Sequence, residues 1–150
     1  MTTQVARDAM VPEPFALDVS ATASEAGEVL SRDAVRAVLV TEDGRLVGVV
    51  TRKTLVREVV ASGRNPAETT LGAIAEQPNA TIDSAMPLDE AFDFLEQQDY
   101  ERVPVVEDGK LVGVLSRSAI QRRLADEDVR QGLREALATL VAEVPTAVAA

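Results

Sequence analysis

Cysteine and histidine are both absent from this chain of 150 residues. The lack of cysteine excludes disulfide bonds and thiolate metal sites. The lack of histidine removes the commonest metal ligand and the commonest general base. The sequence also has no nucleophile elbow and no glycine-rich phosphate loop of the P-loop or dinucleotide type. We therefore expect that the protein is not an enzyme and holds no metal.

Aromatic residues and positive charge are also scarce. Aromatics make up 3% of the chain and apolar residues 46%, so a core would consist of valine, leucine, isoleucine and alanine. The net charge of −10 argues against binding to nucleic acid, whose phosphates need a basic face, and against an anionic membrane. No apolar run approaches the ~18 residues of a spanning helix, and the first residues lack a signal-peptide pattern. We expect a cytoplasmic protein that binds neither nucleic acid nor membrane.

One segment of the sequence occurs twice. Its copies at residues 42–52 and 107–117 lie 65 positions apart, and both begin Glu-Asp-Gly-(Arg/Lys)-Leu-Val-Gly-Val. Asp-Gly between two apolar runs is a strong signal for a β-hairpin, because both residues tolerate positive φ angles. Thr51 and Ser116 follow at the points where a strand gives way to a helix. The same offset holds without a gap over most of both halves, so the chain is an internal duplication.

Each half reads as β-α-β-β-α after a short lead-in helix, at residues 5–10 in the first half and 70–75 in the second. Thr22 has the spacing of a capping box at the start of one helix, and Pro87 suits the first turn of its counterpart. A half of about 60 residues buries too little surface to be stable alone. We therefore predict an α+β fold in which two repeats pack through their sheets with pseudo-twofold symmetry, leaving clefts along the seam.

The predicted divisions of the chain follow from this duplication. They are a first repeat at 4–61, a linker at 62–69, a second repeat at 70–125, a C-terminal helix at 126–144 and a frayed tail at 145–150. The C-terminal helix has no counterpart in the first half. Its apolar residues recur at steps of three and four, which predicts an amphipathic helix. Its apolar stripe would pack either on its own repeat or on a second chain.

Three features together carry a resemblance to a known family. They are Val-Ala-Arg-Asp-Ala-Met at 5–10, Arg-Val-Pro-Val-Val at 102–106, and the two Asp-Gly segments. The chain resembles a tandem pair of CBS domains, named for cystathionine β-synthase, over residues 4–125. The resemblance implies a regulatory module that binds an adenosine nucleotide between the repeats and forms a homodimer. It implies no required cofactor, an unidentified regulated protein, and AMP, ADP, ATP or S-adenosylmethionine as ligand.

The family's nucleotide motif, Gly-x-x-(Thr/Ser)-x-x-Asp, is only partly present. The glycine and the hydroxyl occur in both copies, at Gly48 with Thr51 and at the matching positions of the second repeat. The aspartate that would hold the ribose hydroxyls is replaced by Thr54 and Ala119. Thr54 offers one weaker contact and Ala119 offers none. This loss favours an alternative function, in which the pair binds no ligand and serves as a dimerisation or protein-interaction module.

The predicted ligand-binding residues lie at the strand ends and helix starts along the seam. They are Thr51, Arg52, Ala80, Thr81, Arg102, Val103, Pro104, Ser116 and Arg117. The two hydroxyls lie at helix N-termini, where free N–H groups favour an anion, but they could equally be plain helix caps.

The resemblance assigns a phosphate contact to Arg102, and the first repeat has Ala37 at that position. Arg36 stands one residue earlier, and strand alternation predicts that it faces the other way. The second repeat is therefore predicted to be better equipped for phosphate. For Gly48 and Gly113 we expect close packing between sheets or a strand irregularity rather than contact with a ligand.

Overall fold

The structure is a computed structural model that describes residues 4–12 and 15–143. The strands in these ranges are β1 (Ala16–Asp18), β2 (Ala37–Glu42), β3 (Arg45–Thr51), β4 (Ile82–Asp83), β5 (Arg102–Glu107) and β6 (Lys110–Ser116). The helices are α1 (Ala6–Ala9), α2 (Ala23–Leu30), α3 (Arg52–Leu55) with a π-helical continuation (Val56–Val60), α4 (Leu71–Ile74), α5 (Leu88–Gln98) and α6 (Arg117–Glu143). The predicted β-α-β-β-α order is thus confirmed in both halves.

The strands join into one mixed sheet in the order β1-β2-β3-β6-β5-β4. Each repeat contributes an antiparallel hairpin, and the Asp-Gly residues at both hairpin turns have positive φ angles between 53° and 81°. The two hairpins meet at the centre, where the amide of Leu46 donates to the carbonyl of Gly109 and the amide of Leu111 to that of Gly44. This reciprocal pair marks the pseudo-twofold axis, so the predicted α+β pair of repeats is confirmed.

The short lead-in helices are exchanged between the repeats. In α1, Ala6 is fully buried in the core of the second repeat, and its amide donates to the carbonyl of Met86 at 2.8 Å. In α4, Leu71 is fully buried in the core of the first repeat, and its amide donates to the carbonyl of Ala21 at 2.8 Å. Each half therefore completes the core of the other, which explains physically why a single half would be unstable.

The chain leaving each lead-in helix runs close against a hairpin glycine. Beside Gly48, the amide and carbonyl of Val49 pair with those of Glu76, and beside Gly113, those of Val114 pair with Val11. A Cβ atom on Gly48 would lie 2.6 Å from the Cβ atom of Ala75, and one on Gly113 would lie 2.8 Å from the carbonyl oxygen of Val11. The predicted strand irregularity is confirmed, because a register shift lies opposite each glycine, between Val40 and Thr41 and between Val105 and Val106. Packing between two sheets is not what these glycines allow, since the strands form one sheet and the close neighbour is a chain segment.

The closing helix of the second repeat continues into the C-terminal helix without a break. Ile120 is buried and Leu124 packs on the second core, so the first turns of α6 belong to that repeat. The stripe residues that follow are 59–72% exposed and comprise Val129, Leu133, Leu137, Leu140 and Val141. The interpretation that this stripe packs on its own repeat is therefore wrong. Val144 and the predicted frayed tail at 145–150 lie outside the described residues.

Among the helices of the described ranges, none combines the length and the apolar character that a membrane span needs.

Substitution of Gly48 by alanine should destabilise the protein, because the new methyl group would collide with Ala75. Overpacking of this kind costs about 1–3 kcal/mol in the free energy of unfolding, measured by urea denaturation. Gly132→Ala is the matched control, since a Cβ atom there has no neighbour within 4 Å and the residue lies in α6. This control should be neutral or stabilising by up to about 1 kcal/mol. A Gly48→Ala variant as stable as the control would contradict the close approach.

Candidate ligand-binding cleft

A cleft of about 370 Å³ opens on the seam between the two repeats. Many of its lining residues are pairs related by the 65-residue offset, so the pseudo-twofold axis passes through it. These pairs are Phe15 with Ala80, Val35 with Tyr100, Ala37 with Arg102, Leu39 with Pro104, and Val49 with Val114. The exchanged segments that leave α1 and α4 line it as well, at Pro12 and at residues 76–80. The cleft therefore exists because the lead-in helices cross over.

The lining of the cleft is largely apolar, with a few polar groups. Aliphatic and aromatic side chains from both repeats contribute, including Phe15, Val35, Leu39 and Tyr100. Arg36, Arg102, Thr51 and the polar residues of 76–79 add hydrogen-bonding groups. A cavity of ~300–1,000 Å³ with apolar lining and a few polar groups is the usual form of a small-molecule site.

The structure divides the nine predicted site residues into two groups. Those lining the cleft are Thr51, Ala80, Arg102, Val103 and Pro104. Those that do not line it are Arg52, Thr81, Ser116 and Arg117. The pseudo-symmetry is thus broken at the hydroxyl position, since Thr51 borders the cleft and Ser116 does not.

The hydroxyls of Thr51 and Ser116 act as helix caps. Thr51 and Thr54 cap each other: the Thr54 amide donates to Thr51 Oγ1 at 3.3 Å, and the Thr51 amide donates to Thr54 Oγ1 at 3.0 Å. Ser116 Oγ accepts from the amide of Ala119 at 3.1 Å. The capping interpretation is confirmed for both residues. Thr54 is fully buried, so the residue that replaces the ribose aspartate supports α3 and does not line the cleft.

Two predicted anion-binding arginines have protein partners beside the cleft. Arg52 Nη2 donates to the carbonyl of Arg32 at 2.9 Å, and the Arg32 guanidinium lies 5.5 Å from the ring centroid of Phe15. Arg52 therefore steadies the turn that holds Phe15 against the cleft. Arg117 lies 3.6 Å from a carboxylate oxygen of Asp99 and 3.4 Å from one of Glu101. Direct ligand contact by Arg52 or Arg117 stays a prediction.

Arg36 was expected to face away from the site, and this expectation is wrong. Arg36 lines the cleft together with Arg102. The physical reason is that β2 begins at Ala37, so Arg36 precedes the strand and the alternation of side chains does not apply to it. The first repeat therefore also places an arginine at the cleft, although one residue earlier in the chain than the second repeat does.

Sequence reasoning also missed the aromatic residues of the cleft. Tyr100 is the single tyrosine of the chain, and its ring packs edge-on against Phe94 at 6.3 Å between centroids. In the structure, Phe15 directly precedes β1 and Tyr100 lies between α5 and β5, where side-chain direction is hard to assign from sequence. The 65-residue offset could have found Phe15, because it matches Phe15 with the predicted site residue Ala80.

The charges around the cleft are unevenly paired. Arg57 pairs with Glu76, a residue of the cleft lining, and Arg117 pairs with acidic residues outside it. In the described part of the chain, neither Arg36 nor Arg102 has an ion-pair or hydrogen-bond partner for its side chain. The cleft lining therefore includes two arginines without a protein partner among the described residues, and guanidinium groups are strong and directional binders of phosphate and carboxylate groups.

A shifted ionisation occurs at the end of β1, outside this cleft. The hydroxyl of Ser20 donates to Asp18 Oδ2 at 2.6 Å and its amide at 2.9 Å. These hydrogen bonds favour the charged form and hold the pKa of the Asp18 carboxyl below its usual value. The arrangement closes a local turn between β1 and α2.

Replacing Thr51 by alanine should lower the free energy of unfolding by about 1 kcal/mol, because the α3 cap is lost. The measurement is urea denaturation followed by circular dichroism. Thr139→Ala serves as the control, since Thr139 is an exposed residue inside α6 whose hydroxyl only bonds back to the carbonyl of Glu135. Equal stability of the two variants would rule out a capping role for Thr51.

Comparison with known proteins identifies both repeats. The family model described as CBS domain matches residues 6–61 and 71–126. An uncharacterized protein of Methanopyrus kandleri is 34% identical over 84 residues, which cover 55% of this chain and 43% of that protein. Hypoxic response protein 1 of Mycobacterium tuberculosis is 29% identical over 90 residues, covering 60% of this chain and 63% of that protein. The chain thus spans less than two thirds of the length of these two relatives.

Solved structures share the fold. The crystal structure of hypoxic response protein I with two coordinated zinc ions has a TM-score of 0.66 at 26% identity, covering 79% of this chain and 98% of that chain. CBSX2 in complex with AMP has a TM-score of 0.65 at 24% identity, covering 83% and 98%. The CBS domain pair of protein MJ0100 in complex with 5′-methylthioadenosine and S-adenosyl-L-methionine has a TM-score of 0.60 at 20% identity, covering 84% and 99%. The last two likenesses bear on the fold alone.

Proposed function

The chain belongs to the CBS-domain family, and from that premise we propose that it works as a ligand-sensing regulatory module. Its ligand is an adenine nucleotide or a related phosphorylated small molecule, bound in the cleft between the repeats. The observation that carries this proposal is the combination, in the lining of one cleft, of apolar residues with two arginines that lack ion-pair partners among the described residues.

The chemistry of the cleft favours a phosphorylated ligand over other members of the adenosine class. The apolar side chains suit a flat base, and Tyr100 and Phe15 offer aromatic contacts to it. Arg102 suits a phosphate group, to which it can donate two parallel hydrogen bonds. AMP, ADP and ATP carry such groups, whereas S-adenosylmethionine carries a positive sulfonium that two arginines would repel. Relatives of known structure supply the ligand class, since one holds AMP and another holds S-adenosyl-L-methionine.

Recognition of the ribose should be weak in this protein. The carboxylate typical of the family is replaced by buried Thr54 and by Ala119. Affinity would therefore depend on the base and the phosphate, and loss of a ribose hydroxyl should cost little. We expect 2′-deoxy-AMP to bind within about threefold of AMP, because a site without a partner for that hydroxyl cannot penalise its loss.

Regulation would follow from the way the ligand contacts both repeats. The central strands β3 and β6 pair at one position, Arg45 with Lys110, so the strand pairing that joins the two repeats at the centre of the sheet is short. A ligand can shift the angle between them only through different affinities for the two arrangements. In this proposal, the shift changes the activity of a partner protein. A cytoplasmic location goes with it, because adenine nucleotides are intracellular metabolites.

Neither zinc binding nor catalysis forms part of the proposal. The crystal structure of hypoxic response protein I contains two coordinated zinc ions, but this chain has no cysteine and no histidine, the usual zinc ligands. Within residues 4–12 and 15–143, no group of three or more acidic side chains could hold a metal ion.

AMP, ADP or ATP at millimolar concentration should raise the melting temperature of the protein, because a ligand that binds only the native state stabilises it.

In titration calorimetry, Arg102→Ala should weaken the affinity for AMP at least tenfold and leave the affinity for adenosine unchanged, since only the phosphate contact is lost. Arg64→Ala is the control, because Arg64 is exposed in the linker and does not line the cleft. Absence of heat with AMP, ADP, ATP and S-adenosylmethionine alike would overturn the proposal.

A second proposal concerns self-association through α6. The stripe of large apolar residues on this helix is 59–72% exposed, and no charged residue occurs between Glu135 and Glu143. Leu133, Leu137 and Leu140 follow the four–three spacing of a seam between two packed helices. An isolated helical stretch of this length is marginal in water without a packed face. We propose that a second copy of the chain covers the stripe, which makes the protein a homodimer.

Leu137→Glu should convert the dimer to a monomer in sedimentation velocity, because a charge would be buried in the helix seam. Thr139→Glu is the matched control, since residue 139 lies off the seam and stays exposed. Deletion of residues 126–150 should have the same effect as Leu137→Glu. A truncated chain that remains dimeric would exclude α6 as the dimer contact.

A further inference from the structure

The two available arginines of the cleft come from different repeats. Arg36 precedes β2 of the first repeat, and Arg102 begins β5 of the second. We infer that the two guanidinium groups clamp one anionic group together, so that each chain binds a single ligand carrying at least two negative charges. This inference rests on the proposed function, in which the cleft is the ligand site, and it assigns to Arg36 a role that the sequence pattern did not predict.

The first support is the pairing of charges in this chain. Acidic residues outnumber basic ones, 25 to 15, so an arginine on the surface has many carboxylates available. Arg7, Arg57 and Arg117 pair with such carboxylates, whereas the other basic residues form no ion pair within the described ranges. Arg36 and Arg102 are exposed and belong to this unpaired majority. They differ from the other unpaired basic residues in lying together in the lining of one largely apolar cleft, which favours an anionic ligand there.

The second support is that the nearby carboxylates are neutralised by other arginines. Glu101 occupies in the second repeat the position that Arg36 has in the first, and it precedes Arg102 directly. Arg117 holds it, with 3.4 Å between guanidinium and carboxylate and 2.8 Å between its amide and the Glu101 carbonyl. Glu76 lines the cleft and pairs with Arg57. The carboxylates of Glu101 and Glu76 are therefore engaged by other arginines and do not pair with the two arginines of the cleft lining.

The third support is the loss of symmetry inside the cleft. Two equivalent sites would need equivalent residues, but Arg102 corresponds to Ala37 and Tyr100 corresponds to Val35. The cleft also borders Thr51 but not its counterpart Ser116. The two halves of the cleft thus differ chemically while sharing one volume of about 370 Å³. A single ligand in one orientation fits this arrangement, with its charged group between the repeats. Phosphate monoesters carry about −1.5 to −2 at pH 7 and approach two full negative charges above that pH, because their second pKa is about 6.

Titration calorimetry at pH 7.5 with AMP and with inorganic pyrophosphate tests the inference on four proteins: the full wild-type chain, Arg36→Ala, Arg102→Ala and the double variant. We expect one AMP per chain and at least a tenfold loss of AMP affinity in each single variant. The double variant should lose less than the product of the single losses, because the two groups share one anion. Arg64→Ala is the control for charge alone, and unchanged melting temperatures without ligand show that the variants fold.

The outcomes separate this inference from the proposed function. Wild-type affinity for AMP in Arg36→Ala, or two AMP molecules per chain, would overturn the shared clamp and leave nucleotide sensing intact. A different result is that one pyrophosphate binds per chain, that both arginine variants lose this binding, and that the wild-type chain does not prefer AMP to pyrophosphate. That result would support the clamp and remove the adenine part of the proposed function. Failure of both ligands to bind the wild-type chain would overturn both.

Discussion

The exchange of lead-in segments between the repeats is the contact on which the rest of this structure depends. Ala6 and Leu71 each fill the core of the opposite repeat, so neither core is complete without the other. The exchange obliges the chain to cross the seam twice, and it does so against backbone made accessible by Gly48 and Gly113. These crossings also contribute to the cleft lining. The stability of the two cores and the presence of the cleft thus have the same structural origin.

The charges of the cleft follow from this arrangement. The crossing segment brings Glu76 into the lining, where an unpaired carboxylate would repel a phosphate, and Arg57 pairs with it. Arg117 does the same for Glu101. Arg117, which the sequence presents as a candidate ligand contact, thereby acts on a neighbouring acid. The arginines of the cleft lining that keep no protein partner among the described residues are Arg36 and Arg102. In a chain with net charge −10, the placement of the few basic residues decides what the cleft can bind.

Membership of the CBS-domain family determines the fold of this protein, but it does not determine which ligand the protein binds. Both hydroxyls of the family's motif are retained, yet they cap helices, and the position of the ribose carboxylate is taken in the first repeat by Thr54, which is buried beneath Thr51. The helix α6 adds a surface that the repeats themselves do not have, because its apolar stripe lies beyond the second core. The proposed sensing and the proposed self-association therefore depend on features that belong to this chain rather than to the duplicated unit.

The sequence alone was sufficient to predict the duplication, the hairpins and the element order, because Asp-Gly turns, capping residues and apolar periodicity act locally. It also placed Arg102 and Thr51 correctly at the seam. Only the tertiary structure decided which core each lead-in helix enters, since the sequence within a helix does not specify its partner. The position of Arg36 was decided in the same way, because the side-chain direction of a residue just before a strand depends on how the chain enters the sheet. The tertiary structure likewise left the stripe of α6 uncovered, because the helix extends past the core that could have buried it.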